Sequence, residues 1–289
     1  MIAPVLLRTF EAACETGSFD RAAARMGVTA PAVSQRMRAL AEAAGGPVFA
    51  RLQPAVPTAL GRRLLRHARE LAALDAALLS DLGRDGGPVP ATVAINADSL
   101  ETWAVAALAA APGYRFDVVI ADQDHSAALL RRGEVSAAVT AHTAALPGHD
   151  AFPLGALRYR AACAPGFRDR WFPDGPTPAA LTRAPSLRFD PRDALQERWA
   201  TTRGARIETP PHRIGATSAL QAALREGLGW GVNPEALLAS DLAAGRLVEL
   251  DPAHPLDTPL AWQVSRAVAA PLAPLTTAMR RAARAALRR

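Results

Sequence analysis

The stretch from residue 18 to 43, SFDRAAARMGVTAPAVSQRMRALAEA, constrains this chain more than any other. Ser18 is placed to cap a short helix, and the small pair Ala22 and Ala23 lets a second helix come close. Gly27 supplies the permissive backbone of a turn, and Thr29 caps the next helix. In that second helix, residues 30 to 43, Val33, Met37 and Leu40 share one face while Pro31, Gln35 and Arg38 share the opposite one. One face belongs to a core and the other is free to read something.

Two helices joined by a four-residue turn, the second with a polar outer face, form the pattern of a DNA-binding helix-turn-helix. Upstream, Val5, Leu6, Phe10 and Ala13 are spaced for a first helix over residues 1 to 16 that packs on this pair. Downstream, Pro47 to Thr58 is too proline-rich for a helix and reads as a wing carrying Arg51, where a guanidinium meets a phosphate or a minor groove. The residues expected at DNA are Pro31, Ser34, Gln35, Arg36, Arg38 and Arg51, with Arg36 nearer the buried edge and so placed for backbone. From Thr58 to Leu82 one long helix is expected, with Leu64, Leu71 and Leu78 a heptad apart and Leu60 and Leu74 alongside. That stripe points to a dimerising linker. Residues 83 to 90, GRDGGPVP, close it as a hinge.

Beyond the hinge the pattern becomes alternating strand and helix. ATVAIN, FDVVIAD and SAAVTAH read as strands separated by helices at 99 to 111 and 126 to 132, a βαβαβ unit of an open parallel sheet. A second run from about 164 to 261 has strands near HRIGAT, WGVNP and RLVEL and helices at 191 to 203 and 218 to 226. The last strand, AWQVSRAV, and the helix 274 to 288 have no partner in that run, so they return to the first. The expected fold class is therefore α/β: an N-terminal winged helix-turn-helix domain over 1–58, a linker helix and hinge over 59–90, and a two-lobed, periplasmic-binding-protein-like effector domain over 91–289. Lobe I takes about 91–163 and 262–289, and lobe II about 164–261.

Charge is segregated along this plan. Residues 1 to 70 carry a net +5, residues 71 to 279 a net −4, and the last ten residues another +5. A basic head suits a phosphate backbone, and an acidic body suits a small cation. In an open α/β sheet ligands collect beyond the carboxyl ends of strands, where NADSLETW at 96–103 and ADQD at 121–124 place acids. Asp98 and Asp122 are expected on one edge of lobe I, with Asn96, Ser99, Thr102 and Asp124 beside them, and Asp190, Thr217 and Ser218 across from the second lobe. Carboxylates at one end and a serine hydroxyl with free N–H groups at the other suit an amino acid with a cationic side chain. The same acids and serines are also good helix caps, and both roles can hold at once.

Other classes find less support. No apolar run reaches the ~18 residues that span a bilayer, and the N-terminus lacks a signal-peptide pattern, so no membrane role and a cytoplasmic location are expected. Cys14 and Cys163 fall in different expected domains, no metal-ligand spacing is present, and no cofactor is expected. GLGWG precedes a strand rather than a helix, and Ser218 in GATSA lacks a nucleophile elbow, so an enzyme is not expected.

Phe10, Ala13, Glu15, Gly17, Ser18, Phe19, Ala22, Ala23, Ala32, Val33, Ser34, Leu40, Phe49, Arg51, Thr58 and Gly61 stand where the N-terminal domain of the LysR-type transcriptional regulators has its landmarks, and the chain resembles that family. A second wing arginine common in the family is replaced here by Gln53-Pro54. NADSLETW, LRRGEV at 130–135, PLGAL at 153–157, FPDG at 172–175 and Phe189-Asp190 resemble the subgroup that senses lysine and arginine and controls a basic amino acid exporter gene. The resemblance implies a basic amino acid effector, promoter DNA, RNA polymerase as a partner, and dimers that pair into tetramers. The alternative is a DNA-binding regulator of the same fold whose C-terminal domain serves oligomerisation only and takes no small molecule.

Overall fold

A computed structural model describes residues 2–84 and 86–289, with the side chains of Gln123 and Asp124 outside the description. The head begins with α1 (Pro4–Thr16), α2 (Phe19–Met26) and α3 (Ala30–Ala44), followed by the antiparallel pair β1 (Phe49–Leu52) and β2 (Ala55–Pro57). The long helix α4 (Ala59–Asp81) comes next. Then follow β3 (Val89–Ile95), α5 (Ala97–Ser99), a π-turn over Leu100–Ala104, α6 (Val105–Ala109), β4 (Tyr114–Ile120), α7 (Gln123–Arg132), β5 (Ala137–Thr140) and β6 (His149–Cys163). The remainder comprises α8 (Pro165–Trp171), α9 (Pro178–Arg183), β7 (Leu187–Arg188), α10 (Leu195–Thr201), β8 (His212–Arg213), α11 (Thr217–Arg225), β9 (Gly231–Pro234), α12 (Glu235–Ala243), β10 (Val248–Glu249), β11 (Leu256–Ser265) and α13 (Ala273–Ala286).

The chain divides into two compact units, one of residues 1–95, 110–152 and 262–278 and the other of 96–109, 153–261 and 279–289. The first unit contains the head. Leu7, Phe10, Ala23, Val33, Met37, Leu40 and Val48 form its core, which is the apolar face expected for the second helix of the motif. Gly17 and Gly27 end α1 and α2 at φ 67° and 64°, conformations that glycine adopts without penalty. Thr29 caps α3 by accepting from Ala32 N, whereas Ser18 stands at the N-cap of α2 without a side-chain bond. Gly61 allows α4 to touch the wing, since a Cβ there would lie 2.1 Å from the carbonyl oxygen of Val48.

In the same unit β4 and β5 both pair with β3 in parallel, and β11 lies beyond β5, giving the order β11-β5-β3-β4. The βαβαβ pattern read from the sequence is therefore present. The helix that follows β3 starts two residues earlier than its expected onset at Ser99 and passes through a π-turn before α6. α4 packs on this sheet as well as on the head: Arg69 donates to the carbonyl of Glu134 at 3.0 Å, and Arg66 lies against Gly133.

The second unit has β10, β6 and β11 as neighbours, with β9 also paired to β6; both β9 and β10 run antiparallel to β6. The fifteen-residue β6 is not legible in the sequence, because Pro153 and Gly155 read as breakers. Gly155 is required there: its φ is 115°, and a Cβ would meet the carbonyl oxygen of Arg288 at 2.5 Å where the C-terminal segment bridges to Ala156. HRIGAT contributes only the two-residue β8, which pairs with β7 outside the main sheet. α8, α9 and α12 also go beyond the sequence reading.

Candidate functional site

The DNA-facing surface follows from how α3 sits on its core. With Val33, Met37 and Leu40 buried, Pro31, Gln35 and Arg38 are exposed on the far side and Ser34 lies half-buried between. Arg36 turns inward and donates to Thr9 Oγ1 of α1 at 3.1 Å, so its guanidinium braces the motif. Arg51 is exposed on β1 of the wing. The exposed set has the geometry for a major groove, with a guanidinium held apart on a two-stranded hairpin for the backbone.

The expected effector residues divide between the two units. Asn96, Asp98, Ser99 and Thr102 lie together where β3 gives way to α5. Neither Asp98 nor Ser99 caps a helix, because the helix has already begun at Ala97. Thr102 Oγ1 donates to the carbonyl of Asp98 at 2.6 Å. The side chains of Asn96 and Ser99 are buried, and neither the Asn96 carboxamide nor the Ser99 hydroxyl has a hydrogen-bond partner among the described residues. Trp103 Nε1, one turn on, is likewise buried without an acceptor. Buried polar atoms left unpaired are costly and call for a ligand or water to complete them.

Asp98 is the chemical centre of this group. Tyr159 on β6 donates its hydroxyl to Asp98 Oδ2 at 2.8 Å, and among the described residues no basic side chain pairs with the carboxylate. Burial pushes the Asp98 carboxyl up to about 6, against the opposing Tyr159 hydrogen bond, and the nearby charges of Asp193 and Glu101 push the same way. Burial also pushes the Tyr159 phenol well above its usual range, helped by the Asp98 charge. An acid beside other acids, with a neutral donor as its partner, has the chemistry to accept a positive charge.

Other expected residues have structural employment. Asp122 caps α7: its Oδ1 accepts from His125 N at 2.8 Å and its carboxylate lies 3.2 Å from His125 Nδ1. Asp124 lies outside the described side chains. Asp190 Oδ1 accepts from Arg192 N at 2.7 Å and Asp193 N at 2.9 Å, closing a tight turn. Thr217 and Ser218 open α11, the first half-buried and the second exposed, and neither makes a side-chain cap.

Sequence reasoning missed Tyr159, Asp193 and Gln196. Asp193 follows Asp190 by three residues, and it is Asp193 whose charge reaches Asp98 and Tyr159. Gln196 sits on α10, fully buried, with neither carboxamide atom bonded. The one available cue was a pair of acids, Asp190 and Asp193, in FDPRDALQ, which spacing alone could not rank.

Burial pushes the thiols of Cys14 and Cys163 up to about 12 each, which suppresses the reactive thiolate. Among the described residues no cluster of three or more His, Cys, Asp or Glu could hold a metal, and no helix is long and apolar enough to cross a membrane. A cavity of about 550 Å³ within the first unit is lined by Glu11, Glu15, Arg25, Arg69, Thr92 and Arg115, among others, and includes none of the expected effector residues.

Known proteins place these features. Residues 5–62 match the bacterial regulatory helix-turn-helix protein family, lysR type, and residues 89–288 match the LysR substrate binding domain. The lysine export transcriptional regulatory protein LysG of Corynebacterium efficiens is 39% identical over 290 residues, covering 99% of each chain. The crystal structure of ArgP from Mycobacterium tuberculosis superposes with a TM-score of 0.86 at 39% identity, covering 100% of this chain and 99% of that one. Full-length LysG from Corynebacterium glutamicum with bound effector Arg superposes with a TM-score of 0.72 at 35% identity, covering 99% of this chain and 100% of that one. With both domains matched and relatives aligned over nearly its whole length, the chain belongs to the LysR family of bacterial transcriptional regulators and is not an enzyme.

Proposed function

We propose that this regulator senses a basic amino acid, arginine or lysine, and controls a gene for its export. The observation that carries the reading is Asp98: a half-buried residue whose carboxyl is raised by desolvation and by neighbouring acids, hydrogen-bonded by Tyr159 and lacking a basic partner among the described residues. A guanidinium or ammonium supplies the missing charge. Asn96 and Ser99, with buried unpaired polar atoms next to Asp98, suit the amino and carboxylate groups of the same molecule. Asp122, Asp124, Asp190, Thr217 and Ser218 remain proposed as outer contributors, with Asp122 and Asp190 already serving as caps or turn formers. The bound arginine of the Corynebacterium glutamicum LysG structure and the lysine export named for the Corynebacterium efficiens relative support the choice of ligand and of target gene.

On DNA, Gln35 and Arg38 read base edges, Pro31 and Ser34 line the groove, and Arg51 holds phosphate. Dimers join through α4 and pair into tetramers, and the assembly works in the cytoplasm with RNA polymerase. The domains follow the sequence plan of 1–58, 59–90 and 91–289. The test is calorimetric titration of the purified protein with arginine and lysine, followed by footprinting of the DNA upstream of its own gene with and without the ligand. Binding of both and a ligand-dependent footprint are expected; flat heats for both amino acids would return the chain to the reading in which the C-terminal domain only oligomerises.

A further inference from the structure

We propose that Gln196 sets the preference of this site for a guanidinium over a primary ammonium, an inference that rests on the basic amino acid reading above. α10 turns Gln196 and Trp199, three residues apart, to the same side. Trp199 meets Trp230 there, with ring centroids 5.5 Å apart. α10 packs on β9, whose Val232 and Pro234 pair with Ala161 and Tyr159 on β6, and Tyr159 in turn holds Asp98. Asp193, three residues before Gln196, is close enough for its charge to raise both Asp98 and Tyr159.

Gln196 is 0% exposed, yet among the described residues neither Oε1 nor Nε2 has a hydrogen-bond partner. The acceptors around it explain why it discriminates. Asp98 Oδ2 already accepts from Tyr159. The two oxygens of Asp193 accept from Phe189 N and Leu195 N at 3.0 and 3.1 Å, so Asp193 contributes charge more than free acceptor positions. A guanidinium presents more N–H donors than one carboxylate already bonded to Tyr159 can accept, and the Gln196 Oε1 would supply a further, neutral acceptor. An ammonium is compact and can orient its donors toward Asp98 and water, so it depends less on Gln196.

The experiment is calorimetric titration of the full-length protein, wild type, Gln196→Leu and Gln196→Glu, with arginine, lysine and homoarginine. Gln196→Leu is expected to weaken arginine and homoarginine by roughly 10- to 100-fold and lysine by less than about 3-fold, in line with loss of one hydrogen bond to a charged group. Gln196→Glu keeps an acceptor but adds a charge, and is expected to retain arginine binding while lysine binding tightens as well; thermal melting confirms that each variant is folded. Equal losses for arginine and lysine in Gln196→Leu, or a loss of arginine binding in Gln196→Glu as large as that in Gln196→Leu, would overturn the role of Gln196. If the wild type binds none of the three ligands, the basic amino acid reading itself fails, and this inference with it.

Discussion

Asp98 ties the stability of the empty protein to its readiness for a ligand. Its carboxyl is raised from the ordinary range to about 6, so the folded state holds the proton more tightly than an unfolded chain does. Its contribution to stability is therefore best at low pH, declines as pH rises from about 4 to about 6, and stays unfavourable above that. Asp98→Asn removes the charge while keeping an acceptor for Tyr159, and is expected to stabilise the empty protein at pH 8 by about 1 to 3 kcal/mol in a denaturant melt. The same variant is expected to lose arginine binding. In the wild type, arginine affinity should fall as pH drops through about 6, with proton release measured by titration in buffers of different ionisation enthalpy; a flat affinity between pH 5 and 8 would remove Asp98 from the cation's surroundings. On the head, Gln35→Ala should alter the ranking of operator variants, costing ~1 to 3 kcal/mol at a single base pair. Arg51→Gln should weaken all sequences alike and lower the slope of log affinity against log salt by about 0.9 for each phosphate that is no longer neutralised. A filter-binding series over operator variants and salt separates the two behaviours.

Among the elements, α4 shows how one apolar stripe serves two purposes. Leu64 is buried in the head core, and Leu60, Leu65 and Leu71 pack against it, while Leu74, Leu78 and Leu82 are 42%, 58% and 61% exposed. The heptad read from the sequence is continuous, but its first half is consumed within the chain and its second half is left exposed, where the proposed dimer would cover it. A double substitution Leu78→Glu and Leu82→Glu is expected to shift the protein toward monomer in sedimentation and to weaken binding to a two-fold operator by more than about tenfold, because each half-site then binds alone. An unchanged sedimentation profile would place the dimer interface elsewhere. α3 behaves differently. Leu40→Ala, at a fully buried position, is expected to cost about 2 to 5 kcal/mol and to abolish operator binding with little loss of ligand binding, as cavity formation in the small head core dictates.

For the molecule as a whole, the segregation of charge along the sequence coincides with the division of labour between a DNA-reading head and a ligand-reading body. A saturating cationic ligand is expected to raise stability by mass action, by about 2.7 kcal/mol at a hundred times its dissociation constant, and more at pH 8 than at pH 5 because Asp98 is then charged. Thermal melts of the full chain with arginine at the two pH values check this. Much was already contained in the order of residues. Apolar residues at helical spacing and glycines at the ends of α1 and α2 specify the helix-turn-helix and its exposed face, because those are local effects acting over a few residues. The βαβαβ alternation is legible for the same reason. Only tertiary structure decided the rest: that β6 runs through Pro153 and Gly155, that Asp193 rather than Asp190 bears on Asp98, and that Tyr159 donates to it. Those pairings link residues tens of positions apart, and burial, which raises the Asp98 carboxyl, is conferred by the packed fold rather than by the neighbours in the chain.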